Sequence, residues 1–188
     1  MSGATVGADG RLRCPWGNST EDYVEYHDQE WGVPLRGEKA MYERLTLEAF
    51  QSGLSWLTIL RKREGFRRAF AKFDPKKVAK YGEAEVVRLM GDASIVRNRA
   101  KIEAAIRNAR AIADLDVPLD DLLWSFAPAD RPRPKDLSEV PAITPESKAM
   151  AKELKRRGFA FVGPTTAYAL MQATGMVDDH LTDCWRAT

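Results

Sequence analysis

The chain has 188 residues, 44% of them hydrophobic and 30% charged, with a formal net charge of +2. That mixture is enough to bury a core and is neither disordered nor fibrous in character. No apolar run approaches the ~20 residues needed to cross a bilayer, so a cytoplasmic protein without membrane partners is expected.

The first residues, MSGATVGADGRLR, are small and polar and lack the apolar stretch of a signal peptide. Residues 1–12 are expected to be a disordered leader, and residues 13–188 one domain of two packed helical lobes. From about residue 39 to 62, apolar residues recur at Met41, Leu45, Leu47, Phe50, Leu54, Leu57 and Leu60. Gly53 interrupts them, which predicts two helices meeting at a tight turn near Ser52 and Gly53. Asp74-Pro75 supplies a cap followed by a proline at the first helical position. Residues 84–90 predict a short helix, 100–115 a strongly periodic one, and 119–126 another short one.

The proline-rich, charged stretch 127–143 reads as a loop. Thr144-Pro145-Glu146 restarts a helix that runs to about Arg157 and stops at Gly158, a residue suited to a left-handed cap. A further helix is expected over Pro164–Ala173, ending at Gly175. No alternating strand pattern and no Rossmann or P-loop glycine signature is present, so the fold class is all-α.

Arg61, Lys62, Arg63, Arg67 and Arg68 form one basic cluster, and Lys152, Lys155, Arg156 and Arg157 a second. Local patches matter more than net charge for a polyanionic partner, although such clusters commonly just solvate helix faces. Gly158 and Gly163 bracket the short connection between the last two helices, and the second opens at Pro164-Thr165-Thr166. A helix start exposes unpaired N–H groups that can hold a phosphate, and glycine lets a DNA backbone approach. The stretch resembles a helix–hairpin–helix motif, hydrophobic-x-Gly-hydrophobic-Gly, with its first glycine poorly matched. An ordinary αα-hairpin fits the same pattern.

The only two cysteines and two histidines are spaced Cys14-x12-His27 and His180-x3-Cys184. Zinc favours four N/S ligands, and four protein ligands leave no open position for catalysis. Spacing alone does not tie the two pairs to one another. Similarly, Glu48 and Arg44 lie four apart and read as a solvated ion pair, and Trp16, Tyr23, Tyr26 and Trp56 read as core aromatics.

Longer blocks go further. Cys14-Pro-Trp16, Tyr23-Val-Glu-Tyr26-His27-Asp28, Glu30-Trp31-Gly32-Val33-Pro34, Leu47-Glu48 with Gln51-Ser-Gly53-Leu54-Ser55-Trp56, Ile95-Val-Arg97-Asn-Arg99, Leu123-Trp-Ser-Phe126, Arg157-Gly-Phe159 with Phe161-Val-Gly163, and Asp179-His180 occur in that order. From about Arg13 to Cys184 the chain resembles the DNA-3-methyladenine glycosylase I family. The resemblance implies an all-α, helix–hairpin–helix glycosylase fold with one structural zinc ion at Cys14, His27, His180 and Cys184, joining the two terminal segments. It implies a base pocket of Trp16, Tyr23, Tyr26, Glu48 and Trp56, with Glu48 as the catalytic carboxylate. Ser52, Gly53 and Leu54 would approach DNA where the base has been displaced, and Gly158, Gly163, Thr165 and Thr166 would meet its backbone. The expected activity is hydrolysis of the N-glycosidic bond of 3-methyladenine in alkylated duplex DNA, by a monomer with no lyase step. Two positions depart from the family pattern: Ala49, where glycine is common, and Phe50 beside it. Asp178, Asp179 and Asp183 lie where other helix–hairpin–helix glycosylases place a catalytic aspartate, and none is assigned that role; Asp183 reads as structural or as a support to the zinc ligands. Trp31-Gly32-Val33-Pro34 reads as packing and turn.

Overall fold

The computed structural model describes residues 3–187. Helices α1 (Glu21–Gln29), α2 (Glu38–Gln51), α3 (Trp56–Ala69), α4 (Pro75–Val78), α5 (Glu83–Met90), α6 (Arg99–Ala113), α7 (Leu119–Trp124), α8 (Pro145–Arg156) and α9 (Pro164–Ala173) account for most of it. The all-α expectation therefore holds for most of the described chain, with one correction at its start. Strand β1 (Thr5–Val6) pairs antiparallel with β2 (Leu12–Arg13), where a disordered leader without strands was expected. Two turn residues, Asp9 and Asn18, account for this order. Asn18 Nδ2 donates to the Thr5 carbonyl at 2.8 Å, and Arg13 donates to Asp9 at 2.7 and 2.8 Å. Residues 1 and 2, the rest of the expected leader, lie outside the described residues.

Capping sets several boundaries, at Asp74 and Thr144 as anticipated and also at Ser55 and Asn98. Ser55 Oγ accepts from Thr58 N at 3.2 Å, Asp74 from Lys76 N at 3.1 Å, and Asn98 from Lys101 N at 3.1 Å. At α8, Thr144 and Ser147 cap each other reciprocally. Between α2 and α3 the chain turns at Gly53, whose φ of +78° is a left-handed value that glycine adopts without a Cβ penalty. After α3 the three residues Ala71–Phe73 also take positive φ, at 51°, 55° and 54°. Each costs about 1 kcal/mol or more. Burial of the Phe73 ring against Phe70, with centroids 5.8 Å apart, offsets part of that cost.

One large core joins α2, α3, α6, α7, α8 and α9, with Met41, Tyr42, Leu45, Phe50, Phe66 and Leu170 at its centre. Phe50 belongs to it and Ala49 is buried beside it, and α2 runs unbroken through the two unusual positions. A smaller cluster of Cys14, Leu181 and Cys184, with Trp16, Trp31 and Trp185 against it, brings the two ends of the chain together. No helix among the described residues is long and apolar enough to cross a membrane.

Candidate base pocket and metal clasp

The two clusters meet at a cleft of about 400 Å³. Every residue of the expected base pocket lines it: Trp16, Tyr23, Tyr26, Glu48 and Trp56. Trp16 packs edge-on to Tyr23, with centroids 5.6 Å apart, and Tyr26 lies 5.5 Å from Trp56. These aromatics are therefore neither scattered nor confined to the main core. They form a wall.

Glu48 projects from the buried face of α2 and is 5% exposed. Arg44 does not form the expected ion pair with it. The Arg44 guanidinium is instead bonded to Glu30, which also accepts from Arg63 at 2.6 and 2.8 Å. Burial pushes the Glu48 carboxyl up to about 8, and only the more distant charge of Arg44 opposes this. Trp56 Nε1 is likewise buried without a hydrogen-bond partner. A pocket with an uncompensated carboxyl and an idle donor suits a polar, cationic, planar guest.

The sequence reading missed several lining residues: Trp31, Gln51, Leu137, Val140, Ala169, Gln172 and Asp179. Trp31 matters most, because it was assigned to packing alone. Its ring stands 5.0 Å from Trp16 and 4.7 Å from His180. Two backbone bonds fix its loop to the end of α9, from Gly32 N to the Gln172 carbonyl and from Leu35 N to the Thr174 carbonyl, both 3.0 Å. Asp179 is fully buried. It accepts from Arg131, from the Tyr168 hydroxyl, and from Gln172 Nε2 at 2.9 Å.

Behind the wall, ligand atoms of Cys14, His27 and Cys184 lie within 4.8 Å of one another, all buried, a grouping that could hold a metal ion. His180 is not within that group, but its ring centroid is 4.9 Å from that of His27. The two buried thiols lie close enough to share one negative charge, which holds Cys184 below the usual thiol range and pushes Cys14 above it. Each imidazole is held through Nδ1 by a carboxylate. Asp28 engages His27 at 2.8 Å, and Asp178 engages His180 at 2.6 Å. Arginines hold those carboxylates in turn: Arg13 bonds Asp28 at 2.7 and 2.9 Å, and Arg133 bonds Asp178 at 2.7 Å. An Nδ1–H given to a carboxylate leaves Nε2 as the free lone pair, the arrangement a metal requires. Asp183 takes no part in this. It accepts from Ala4 N at 3.1 Å and ties the N-terminal hairpin down.

The presumed DNA-facing residues occupy two places. Gly53 and Leu54 are exposed at the α2–α3 turn, Leu54 by 39%. Ser52 is exposed beside them, and Lys101 Nζ braces the turn through the Phe50 carbonyl at 2.8 Å. Gly158, with a φ of +93°, ends α8, and Gly163 opens α9. A Cβ on Gly163 would meet nothing within 4 Å, so no internal contact demands a glycine there. Thr165 is exposed and Thr166 half-buried on the first turn of α9. Phe161 holds the position where the hairpin pattern has its first glycine. It keeps the left-handed conformation, with a φ of +58°, and is 45% exposed.

The basic clusters are less available than the sequence suggests. Arg61 is paired with Asp22, Arg63 with Glu30, and Arg67 with Glu43 and Glu64. Arg156 and Arg157 share Glu153, and Arg157 also reaches Asp116.

Known proteins share this fold. Residues 16–187 match the family model described as methyladenine glycosylase. The DNA-3-methyladenine glycosylase of Haemophilus influenzae is 46% identical over 178 residues, covering 92% of this chain and 96% of the relative. A crystal structure of a 3-methyladenine DNA glycosylase I superposes with a TM-score of 0.89 at 43% identity, covering 92% of this chain and 98% of that one. The 3-methyladenine DNA glycosylase I of Staphylococcus aureus, solved for its recognition of 3-methyladenine, gives 0.88 at 35% identity, covering 94% and 96%. The chain belongs to the methyladenine glycosylase family, enzymes that hydrolyse N-glycosyl bonds.

Proposed function

We propose that this chain excises 3-methyladenine from alkylated duplex DNA without a lyase step. The observation that carries this reading is the buried, unpaired Glu48 carboxyl in a cleft walled by Trp16, Tyr23, Tyr26 and Trp56. The Staphylococcus aureus relative, which recognises 3-methyladenine, supports it.

Methylation at N3 makes the base cationic in DNA and weakens its bond to the sugar. The nucleotide leaves the stack and enters the cleft, where electron-rich aromatic faces hold the charged ring. A cation beside Glu48 favours its ionised form, so the proton passes to solvent as the base binds. The carboxylate then accepts hydrogen bonds from the base and stabilises positive charge as it develops on the sugar. The glycosidic bond breaks with its electron pair passing to the base, which departs neutral. Water adds to the sugar carbon and loses a proton. Strong acid catalysis is unnecessary, because the leaving group is already activated.

Zinc bound by Cys14, His27, His180 and Cys184 fits the residues present. His180 Nε2 is buried without a partner, both thiols are free and buried, and the four atoms make an ordinary structural zinc donor set. The ion would supply structural cross-linking only, since four protein ligands leave no site for water. Ser52, Gly53 and Leu54 fill the space left by the displaced nucleotide, while Gly158, Gly163, Thr165 and Thr166 meet phosphate through backbone N–H groups.

The test is release of free base from methylated DNA, with the products identified chemically. Wild-type protein that binds DNA yet liberates no 3-methyladenine would reduce the chain to a binding module. Strand nicking without added base would overturn the absence of a lyase step.

A further inference from the structure

Gln172 lines the cleft from α9, opposite Glu48 on α2, and these two helices pack together. Its amide has two ends of opposite character. Nε2 donates to Asp179 at 2.9 Å. Asp179 is paired with Arg131 and also accepts from the Tyr168 hydroxyl. A carboxylate in such a setting is an acceptor only, so it can take nothing but the NH2 end of the amide. A flipped Gln172 would set two acceptors against each other. The amide orientation is therefore dictated chemically. Oε1 is left over, without a hydrogen bond among the described residues, on a side chain that faces the cleft.

We infer that Gln172 is a specificity residue that presents a fixed acceptor to the exocyclic amino group of the bound base, and that Asp179 is the positioning residue that fixes it. This deepens the proposed function and rests on it. A 3-methylated adenine carries a single N–H donor group, the amino group at C6, with two hydrogens. Two acceptors in the cleft, the Glu48 carboxylate and Gln172 Oε1, match those two hydrogens. A purine with a carbonyl oxygen at C6 would place its lone pairs against both. An acceptor left facing another acceptor in a water-poor cleft is rejected more strongly than a missing contact.

The inference differs from any role for Asp179 in bond cleavage. Three of its acceptor sites are taken by Arg131, Tyr168 and Gln172, and the role inferred for it is to orient the Gln172 amide.

Free-base binding, followed by quenching of tryptophan fluorescence, tests it. The probes are 3-methyladenine and 3-methylhypoxanthine, which carry an amino group and a carbonyl oxygen, respectively, at C6. Wild-type protein is expected to prefer 3-methyladenine by about tenfold or more. Gln172→Met keeps the length of the side chain and removes the acceptor, and should narrow that preference by roughly threefold to tenfold. Asp179→Asn gives the amide a donor to face, lets it turn over, and should narrow the preference similarly. A preference unchanged in folded Gln172→Met, or absent in the wild type, overturns the inference. Should Asp179→Asn fail to fold by circular dichroism, Gln172→Met decides alone. Base release from DNA separates the two levels: failure of wild type to release 3-methyladenine sinks the proposed function, whereas release with an unchanged preference sinks only this inference.

Discussion

The clasp and the cleft are built from the same kinds of residue and share a wall, yet they treat charge in opposite ways. In the clasp, each imidazole is held by a carboxylate, and each carboxylate by an arginine. Despite its burial, Asp28 is held down to about 2 by Arg13, His27 and Trp185. In the cleft, Glu48 is as deeply buried and has no hydrogen bond among the described residues, and its carboxyl rises to about 8. Satisfied charge fixes a shape; unsatisfied charge waits for a ligand. The function proposed above assigns the chemistry to the cleft and the structural task to the clasp.

The sharpest way to break that contrast is Glu48→Gln. It should lower 3-methyladenine release by on the order of a hundredfold, with DNA affinity nearly unchanged. Undiminished release would remove Glu48 from the mechanism. A similarly conservative substitution in the clasp behaves differently: Cys184→Ser should lose the metal, measured by elemental analysis, and several kcal/mol of stability. Wild-type protein purified without zinc would end the zinc reading.

The pH dependence of stability separates the regions further. Glu48 has a folded pKa near 8, above its ordinary value of 4.5. Between those values the unfolded chain has released a proton that the folded chain keeps, so burial of Glu48 costs stability as pH rises from about 4.5 to about 8, and the loss then levels off. Each unit is worth about 1.4 kcal/mol. Glu48→Gln should therefore be more stable than wild type near pH 8, by an amount on the order of a few kcal/mol, with the gain shrinking towards pH 5. Equal stabilities across that range would mean that Glu48 is better solvated than its burial indicates.

Smaller effects are expected at the hairpin, outside both regions. Gly163→Asp should weaken DNA binding about tenfold by setting a negative charge beside phosphate, with melting temperature little changed. Full affinity would disconnect this hairpin from DNA. Phe161→Gly removes a left-handed penalty of about 1 kcal/mol and should leave the melting temperature unchanged or a few degrees higher. A drop would show that the exposed ring packs more firmly than its exposure implies.

Regular helices were legible in the sequence wherever an amphipathic stripe met a cap. The periodic stretch from residue 100 became α6, and Thr144-Pro145 and Gly163-Pro164 opened α8 and α9 as expected. Helix α1 was not foreseen, because Glu21–Gln29 has no apolar stripe; it buries Tyr26, His27 and Asp28 against tertiary partners instead. The N-terminal hairpin is held by Asn18 and Asp183, long-range bonds that leave no local pattern. Within the site, the aromatic wall and Glu48 were readable only through whole blocks of resemblance, since Arg44 at i−4 pointed to a solvated pair. Nothing in the spacing showed that Arg44 would be taken by Glu30. Asp28, Asp178, Gln172 and Asp179 were invisible as a support network for the same reason: hydrogen-bond partners across the fold have no periodicity.

The pairing of the arginines has a consequence for how this enzyme finds its target. Arg61, Arg63, Arg67, Arg156 and Arg157 are held by acidic neighbours, so displacing counterions from a DNA backbone falls more to the cluster cations outside these pairs, Lys62, Arg68, Lys152 and Lys155. The two clusters should therefore add less salt dependence to DNA binding than their nine cations alone would suggest.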